Sequence, residues 1–173
     1  MHNVAVIGCG YWGPNLVRNL RSLPGVRVSM ICDASRERLD HLGQLYPEVE
    51  KSTDVKRITG DTAIDMVAIA TPVSTHYTLA RACLEAGKHV FVEKPMASTS
   101  GQCQELIGLA EARSLTLMVG HTFIYTPTVR KIKDIVDSGE IGEVMYISCR
   151  RLNLQFRHHS RKSDAANALD NLV

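Results

Sequence analysis

The beginning of the chain combines an apolar segment, three closely spaced glycines and an acidic residue. The segment Val4–Ile7 leads directly into Gly8, Gly10 and Gly13, and Asp33 closes the next apolar segment about twenty residues later. In a strand–turn–helix unit, the first glycine makes the tight turn, the second lets the backbone approach a pyrophosphate, and the third lets the helix lie close to the sheet. The spacing therefore predicts a dinucleotide site.

The charges around this loop predict which dinucleotide is bound. The free N–H groups and the positive end of a helix starting here would face the phosphates, and Asp33 would accept hydrogen bonds from the adenosine ribose. The same carboxylate would repel a ribose 2′-phosphate, so we expect NAD rather than NADP, although Arg36 and Arg38 are close enough to soften that preference. The alternative is a glycine-rich turn before an ordinary helix, with Asp33 as a solvated strand end.

A lysine follows another apolar segment. Lys94 comes just after His89–Val92, with Glu93 before it and Pro95 after it. A cation beside a nicotinamide can hydrogen bond the substrate hydroxyl and stabilise the alkoxide. Lys94 is therefore the candidate catalytic residue, and a solvated Glu–Lys pair at the start of a loop is the alternative.

Three other side chains have two interpretations each. Trp12 either covers the cofactor or packs under the first helix. His76 lies near the start of a predicted helix, and either contacts a ligand or caps the helix at the surface. His121 follows a strand and either faces the cleft or closes a loop.

Composition excludes several classes of protein. A chain of 173 residues with a net charge of +2 and no aromatic-basic stripe fits one medium domain and makes nucleic acid an unexpected partner. The odd number of cysteines, with no metal-ligand spacing, predicts no metal site and reduced, mostly buried thiols. These are Cys9, Cys32, Cys83, Cys103 and Cys149. Without a leader or a bilayer-length apolar segment, we expect a soluble cytoplasmic protein that does not enter a membrane.

The elements that must position these residues alternate between strands and helices. After Val4–Ile7, the predicted strands are Val26–Cys32, Ile64–Ala70, His89–Val92 and Leu115–Val119, with a further short strand and short helix between Pro47 and Asp61. The predicted helices are Gly13–Leu23, one capped by Ser35 and running to Tyr46, one from Ser74 or Thr75 through Ala86, and Thr99–Ser114. This alternation predicts an α/β fold with one doubly wound parallel sheet.

In such a sheet the carboxyl ends of the strands share one edge. We therefore expect the residues at those ends to line one cleft. They are Gly8–Gly13, Asp33, Ala70–Pro72, Glu93–Pro95 and Gly120-His121.

The last part of the chain predicts a different kind of element. Pro127 precedes a helix with apolar residues at helical spacing, Ser138-Gly139 stops it, and Val144–Arg151 is predicted as a strand. Pairing of that strand between copies would give a homo-oligomer. The basic stretch beyond it, including His158-His159, is better explained as a tail than as a metal site.

Four segments together resemble the Gfo/Idh/MocA oxidoreductases. They are Gly8–Asn15, Ala70–Pro72 with His76 following, Glu93–Pro95, and Gly120–Phe123 leading to Pro127. The resemblance implies a Rossmann NAD(P)-binding domain at residues 1–122. Residues 123–173 would be a linker helix and the incomplete start of an α+β domain for substrate and oligomerisation.

The resemblance also implies roles for individual residues. Lys94 matches the catalytic lysine, Glu93 the residue at the nicotinamide ribose, and Pro95 a proline in a cis peptide, while His76 matches a position beside the cofactor. The whole cofactor-binding set is Gly8, Gly10, Tyr11, Trp12, Gly13, Asp33, Ala70, Thr71, Pro72, His76, Glu93 and Lys94. The tail Asp164–Val173 is only partly similar to the family's proton-acceptor helix, because Asn171 stands where the acid is expected.

The implied activity is NAD-dependent hydride transfer involving a ring hydroxyl. Tyr11–Asn15 and Arg151–Leu154 are most similar to the branch acting on sugars, amino sugars and sugar nucleotides, so we expect a small-molecule sugar or nucleotide-sugar substrate. The alternatives are a catalytically silent NAD-binding fragment or sensor that lacks the substrate domain, and a protein scaffold that keeps the fold without binding a cofactor.

Overall fold

The computed structural model describes residues 1–150 and divides the chain into two units, Met1–Gly120 and His121–Val173. The first unit is a six-stranded sheet with the strand order β3-β2-β1-β4-β5-β6. Its strands are β1 (His2–Ile7), β2 (Val26–Cys32), β3 (Glu50–Ser52), β4 (Met66–Ile69), β5 (His89–Val92) and β6 (Leu117–Val119). All neighbouring strands pair in parallel, which confirms the predicted doubly wound parallel sheet.

Five helices connect the strands. They are α1 (Gly13–Arg21), α2 (Arg36–Leu45), α3 (Lys56–Gly60), α4 (Val73–Glu85) and α5 (Ser100–Ala112). The predicted cap at the start of α2 is present, since the Ser35 hydroxyl accepts a hydrogen bond from the backbone N–H of Arg38. Thr99 caps α5 in the same way, through the N–H of Gln102.

The core lies on both faces of the sheet because successive strand residues point to opposite sides. In β1, Ala5 and Ile7 belong to the cluster covered by α3, α4 and α5, which includes Leu84. Val6 belongs to the other cluster, with Val17 of α1. Strands that are apolar on both faces are what a covered parallel sheet requires.

Two predicted strands are longer than the observed ones. β4 begins at Met66 rather than Ile64, although Ile64 is buried, because the Ile64 N–H bonds to the Asp61 carbonyl within a turn. β6 begins at Leu117 rather than Leu115. In both places a single apolar side chain, Ile64 or Leu115, packs against the core beyond the residues that pair with a neighbouring strand.

The second unit is described for residues 121–150. It contains a 3-10 helix at Thr122–Tyr125 and α6 at Pro127–Asp137, which confirms the predicted helix after Pro127. Within this unit the Arg130 guanidinium lies 5.8 Å from the centre of the Tyr125 ring. Gly139 follows α6 with a positive φ of 72°, which a glycine adopts readily.

The predicted strand Val144–Arg151 is wrong over its described residues. Residues 144–150 form no strand, and Met145, Tyr146 and Ile147 are exposed. A strand needs a hydrogen-bonded neighbour, and β propensity alone does not supply one. The edge-strand pairing expected from this segment therefore has no formed strand to start from.

Some expectations fall on residues 151–173, which lie outside the described residues. These are the end of the predicted strand, the basic tail with His158-His159, and Asp164–Val173. Among residues 1–150, no helix has both the length and the apolar character that spanning a bilayer demands.

A buried lysine holds the turn before β4. Lys88 is only 5 % exposed, and its ammonium donates hydrogen bonds to the carbonyl oxygens of Asp61 and Ile64 at 2.5 and 2.7 Å. It precedes β5 and so lies at the amino edge of the sheet, away from the strand ends predicted to form the site. Its role is to supply a donor to the buried Ile64 carbonyl and a second donor to the Asp61 carbonyl, which also accepts from the Ile64 N–H.

We expect Lys88→Met to lower the free energy of unfolding by about 2 kcal/mol, because hydrogen bonds from a charged donor are lost while the carbonyls stay buried. Urea denaturation measures this change. Lys56→Met is the matched control, since Lys56 is exposed and should change stability little. Equal stability of the two variants would contradict the assigned role of Lys88.

Candidate functional site

The first loop is held against the sheet so closely that two of its glycines admit no side chain. A Cβ on Gly8 would lie 2.5 Å from the Ala70 carbonyl oxygen, and one on Gly13 would lie 2.0 Å from the Gly8 carbonyl oxygen. Gly8 also has a positive φ of 97°, and its N–H donates to the Cys32 carbonyl at 2.8 Å. The folding of the chain alone therefore requires both glycines.

Gly10 is different, because no contact among residues 1–150 requires a glycine there. Its φ is not in the left-handed region, and the nearest atom to an added Cβ is a guanidinium nitrogen of Arg38 at 3.7 Å, an ordinary contact. The outer side of the loop at this residue is open. A ligand lying against the backbone would need this open space.

The start of α1 leaves its backbone donors available. Trp12 is the N-cap residue and makes no side-chain capping bond, and the first turn contains a proline but no acidic residue. N–H groups at such a terminus, together with the helix dipole, favour an anion. The predicted diphosphate position therefore has matching donors.

Two aromatic side chains flank this terminus. Tyr11 is 86 % exposed and Trp12 is 48 % exposed, and their rings meet edge to face with centroids 5.6 Å apart. Trp12 is not buried beneath α1, which leaves the ring available to cover a bound molecule.

Asp33 links the end of β2 to the first loop. One carboxylate oxygen accepts a hydrogen bond from the Cys9 N–H at 2.7 Å, and the other accepts one from the Ser35 N–H at 2.8 Å. The residue is buried, with 8 % of its surface exposed. Since a carboxylate offers about four acceptor positions, Asp33 can still accept hydrogen bonds from ribose hydroxyls.

The two arginines that follow Asp33 have different positions. A guanidinium nitrogen of Arg38 lies 3.8 Å from the Asp33 carboxylate. Arg36 instead lines a groove with Asp40 and Lys51. The sequence could not distinguish them, and only Arg38 lies at the predicted ribose position.

The ends of β4 and β5 lie next to this loop. The N–H of Ala70 donates to the Ile7 carbonyl at 2.8 Å, and the N–H of Glu93 donates to the Ile69 carbonyl at 2.9 Å. Near the start of α4, the Thr75 hydroxyl lies 2.7 Å from the Thr71 hydroxyl and 2.8 Å from the Pro72 carbonyl. The first loop, Ala70–Pro72 and the Glu93 segment thus meet at one edge of the sheet.

His76 is buried and is not available at the surface. It is 1 % exposed, with Nδ1 at 2.8 Å from the Pro95 carbonyl oxygen and Nε2 at 2.8 Å from the Thr71 carbonyl oxygen. Both ring nitrogens are occupied by backbone, so neither is left to bind a cofactor directly. The alternative considered from the sequence, a histidine that caps the helix at the surface, is therefore wrong.

The Glu93 side chain is half-buried at the end of β5. Burial raises the pKa of this carboxyl, while the Lys94 backbone N–H, the Lys94 charge and the His76 charge act in the opposite direction. Its Oε2 lies 3.1 Å from where a Cβ of Gly120 would be, so Gly120, at the end of β6, leaves the space for it. This role of Gly120 was not visible from sequence, because the contact joins distant segments.

The remaining candidates have simpler surroundings. The Lys94 side chain is half-buried, and the Lys94-Pro95 peptide bond is cis, in agreement with the resemblance. His121 belongs to the second unit of the chain. Among the described residues, no group of three His, Cys, Asp or Glu side chains could hold a metal ion.

The buried cysteines are poor nucleophiles. Burial, with Asp33 as the next cause, raises the pKa of Cys9 to about 12 and that of Cys32 to about 11, and burial raises that of Cys83 to about 12. Cys103 is partly buried, whereas Cys149 is exposed and so departs from the expectation of core thiols.

Known proteins share this fold over its whole first unit. The model of an oxidoreductase family with an NAD-binding Rossmann fold, Gfo/Idh/MocA, matches residues 2–121. Inositol 2-dehydrogenase 1 of Saccharopolyspora erythraea is 33 % identical over 158 residues, which are 90 % of this chain and 47 % of that protein.

Solved structures of other proteins are also similar to this chain in fold. A protein from gentamicin A biosynthesis in complex with NAD has a TM-score of 0.77 and 27 % identity, over 80 % of this chain and 40 % of that one. A 3-ketoreductase from Actinomadura kijaniata in complex with NADP and TDP-benzene has a TM-score of 0.73 and 27 % identity, over 80 % and 42 % of the two chains.

This chain spans about half the length, or less, of the proteins it matches. The family match covers the glycine loop, Asp33, Ala70–Pro72 and Glu93–Lys94. The chain therefore belongs to the Gfo/Idh/MocA oxidoreductase family, whose NAD-binding Rossmann fold is formed by its first unit.

Proposed function

We propose that this chain is the cofactor-binding part of an NAD-dependent dehydrogenase that oxidises a ring hydroxyl of a sugar or sugar nucleotide to a ketone. In this proposal residues 1–122 bind the dinucleotide, and residues 123–173 begin a substrate domain. The relatives support the substrate class, since one is named an inositol 2-dehydrogenase and another is a 3-ketoreductase solved with TDP-benzene.

The observation that carries the proposal is the open space at Gly10. Packing explains Gly8 and Gly13, but it leaves room for a side chain at Gly10. A glycine that the fold does not need is accounted for by a ligand whose atoms approach the backbone there. A diphosphate held by the N–H groups at the start of α1 fits this requirement.

The other residues of the loop would complete the cofactor site. Asp33 would accept hydrogen bonds from the adenosine ribose, and Tyr11 and Trp12 would flank the diphosphate. A 2′-phosphate would lie close to the Asp33 carboxylate, so NAD fits better than NADP. Arg38, beside Asp33, reduces that repulsion without removing it.

Lys94 and Glu93 would act at the nicotinamide end. Bound NAD supplies the acceptor for the hydride. The Lys94 ammonium would donate a hydrogen bond to the substrate oxygen and stabilise negative charge on it, while the hydroxyl proton would pass to a base of the substrate domain. Glu93 would accept hydrogen bonds from the nicotinamide ribose, and its raised pKa reflects the cost of keeping a carboxylate in a partly buried site.

Gly10→Ala tests the proposed position of the diphosphate. The added methyl group meets no protein atom closer than 3.7 Å, so stability should stay near that of the wild type, but the methyl group occupies the proposed diphosphate position. We expect NAD affinity to fall about tenfold or more by isothermal titration calorimetry, and wild-type NADP affinity to be lower than that for NAD.

The matched control is Gly108→Ala on α5, where an added Cβ would have no atom of the described residues within 4 Å. It makes the same chemical change away from the strand ends and should leave NAD affinity unchanged. If Gly10→Ala binds NAD as well as the wild type does, the proposed position of the diphosphate is wrong. If the wild type itself does not bind NAD, the proposed function is wrong.

Lys94→Ala separates binding from chemistry. We expect this chain to keep NAD affinity within a few-fold of wild type, since the lysine acts on the substrate rather than on the diphosphate. NADH formation from polyols and nucleotide sugars, measured by absorbance with the chain joined to a substrate domain, should fall at least about a hundredfold. Turnover that survives the substitution would remove the assigned role, and no turnover even with Lys94 present would favour the silent NAD-binding module.

Glu93→Gln tests the cost of the buried carboxylate. Because its folded-state pKa is raised, the protonated form stabilises the fold at low pH, and that contribution is lost as pH rises through the folded pKa. In urea denaturation, the free energy of unfolding of the variant minus that of the wild type should therefore be larger at pH 7 than at pH 4. NAD affinity should fall about tenfold through loss of a charged acceptor.

Glu111→Gln, on the exposed surface of α5, controls for the loss of one negative charge. It should show neither the pH-dependent gain in stability nor the loss of NAD affinity. If the free energy of unfolding of Glu93→Gln minus that of the wild type is smaller at pH 7 than at pH 4, the raised pKa of Glu93 is contradicted.

A further inference from the structure

The backbone conformation of Gly120, directly after β6, does not require a glycine. Its φ lies outside the left-handed region in which glycine is favoured. The residue is buried, and its N–H donates to the Val92 carbonyl at 2.9 Å, which holds it against the end of β5. Its backbone therefore cannot move away from β5 to admit a side chain without losing this hydrogen bond.

Two side chains of the neighbouring segment border the space where a Cβ of Gly120 would lie. That Cβ would be 3.1 Å from Glu93 Oε2 and 3.2 Å from Glu93 Cδ, and 3.1 Å from Cζ of the Phe91 ring. Phe91 and Glu93 alternate with Val92 along the chain, so they point to the same face of the sheet. Because ordinary contacts between carbon atoms are about 3.5–4.0 Å long, one of these two side chains would have to shift.

The two side chains are held in different ways. Phe91 packs against the apolar cluster that contains Val6 and Val17. The Glu93 carboxylate lies at the end of a longer side chain, is half-buried, and accepts a hydrogen bond from the Lys94 backbone N–H. A closely packed ring has little room to move, so the carboxylate would be displaced first.

We propose that Gly120 is a positioning residue: its missing side chain leaves the space in which the Glu93 carboxylate lies, and so sets where that carboxylate meets the nicotinamide ribose. This inference rests on the proposed function, which assigns the ribose contact to Glu93. It adds the end of β6 to a cofactor site otherwise built from the ends of β1, β2, β4 and β5.

The consequence of moving the carboxylate is limited to one half of the cofactor. Hydrogen bonds weaken as their lengths and angles depart from the preferred values, so a displaced Glu93 would accept poorly from the nicotinamide ribose. The diphosphate and the adenosine ribose are assigned to the first loop and to Asp33. Neither of these makes one of the close contacts of Gly120.

Calorimetry on Gly120→Ala with two ligands tests this limit. ADP carries the adenosine and the diphosphate but lacks the nicotinamide ribose. We expect the affinity for NAD to fall about fivefold, because one charge-assisted acceptor is misplaced, and the affinity for ADP to stay within about twofold of wild type. Retained ADP binding also shows that the variant folds. Loss of affinity for both ligands, or for neither, would overturn the inference.

Gly108→Ala is again the matched control, since it makes the same chemical change at a position on α5 where no atom of the described residues lies within 4 Å of the added Cβ. Its affinities for NAD and ADP should both equal those of the wild type. A selective loss of NAD affinity in this control as well would overturn the inference.

Double variants identify the side chain through which Gly120 acts. In a Glu93→Ala background, adding Gly120→Ala should leave NAD affinity unchanged, because no carboxylate remains to be displaced. In a Phe91→Leu background, it should still lower NAD affinity about fivefold. A loss that persists without Glu93, or one that disappears with Phe91→Leu, would assign the glycine to another role and overturn the inference.

Crystal structures of the wild type and of Gly120→Ala give a readout that needs no ligand. We expect the Glu93 carboxylate to occupy a different position in the variant, while the Phe91 ring and the backbone of β6 stay in place. An unmoved carboxylate would overturn the inference. If the wild type binds neither NAD nor ADP, the proposed function is wrong instead, and this comparison still decides whether Gly120 sets the position of Glu93.

Discussion

The hydrogen bond from the Cys9 N–H to the Asp33 carboxylate fixes the geometry on which the cofactor site depends. It joins the first loop to the end of β2 through a short, charge-assisted contact at 2.7 Å in a buried position. The same carboxylate holds the Ser35 N–H, just before α2. One side chain thereby positions the loop assigned to the diphosphate and keeps acceptor capacity for the ribose.

The glycines of the first loop are explained by two different constraints, packing within the fold and space for a ligand, which the sequence pattern alone does not distinguish. Gly8 and Gly13 are required because their neighbours are backbone carbonyls that cannot move aside. No such neighbour lies near Gly10 among the described residues, so a bound ligand is the proposed reason for a glycine there. The partly buried Glu93 carboxylate is explained in the same way. Burial raises its pKa, so the charged form costs free energy in the folded state, and a ligand that needs a charged acceptor would account for its position.

Local patterns predicted much of the fold, since β2 and β5 have the predicted bounds and Ser35 caps α2 as expected. The helix predicted from Thr99 begins one residue later, with Thr99 as its cap. The segment at residues 144–150 was predicted as a strand because its composition suits one, but strand formation depends on a partner that composition does not reveal. Contacts between distant segments were also beyond sequence reasoning. The position of Arg38 beside Asp33, the room that Gly120 leaves for Glu93 and the engagement of both His76 nitrogens are of this kind.

The proposed site depends on one contact, between backbone N–H groups of the first loop and the diphosphate of NAD. A crystal structure of this chain grown in excess NAD tests it most directly. We expect diphosphate oxygens within hydrogen-bonding distance of the N–H groups between Gly10 and the first turn of α1, with an adenosine ribose hydroxyl on Asp33. Density for NAD elsewhere, or an empty loop at saturating NAD, would contradict the account.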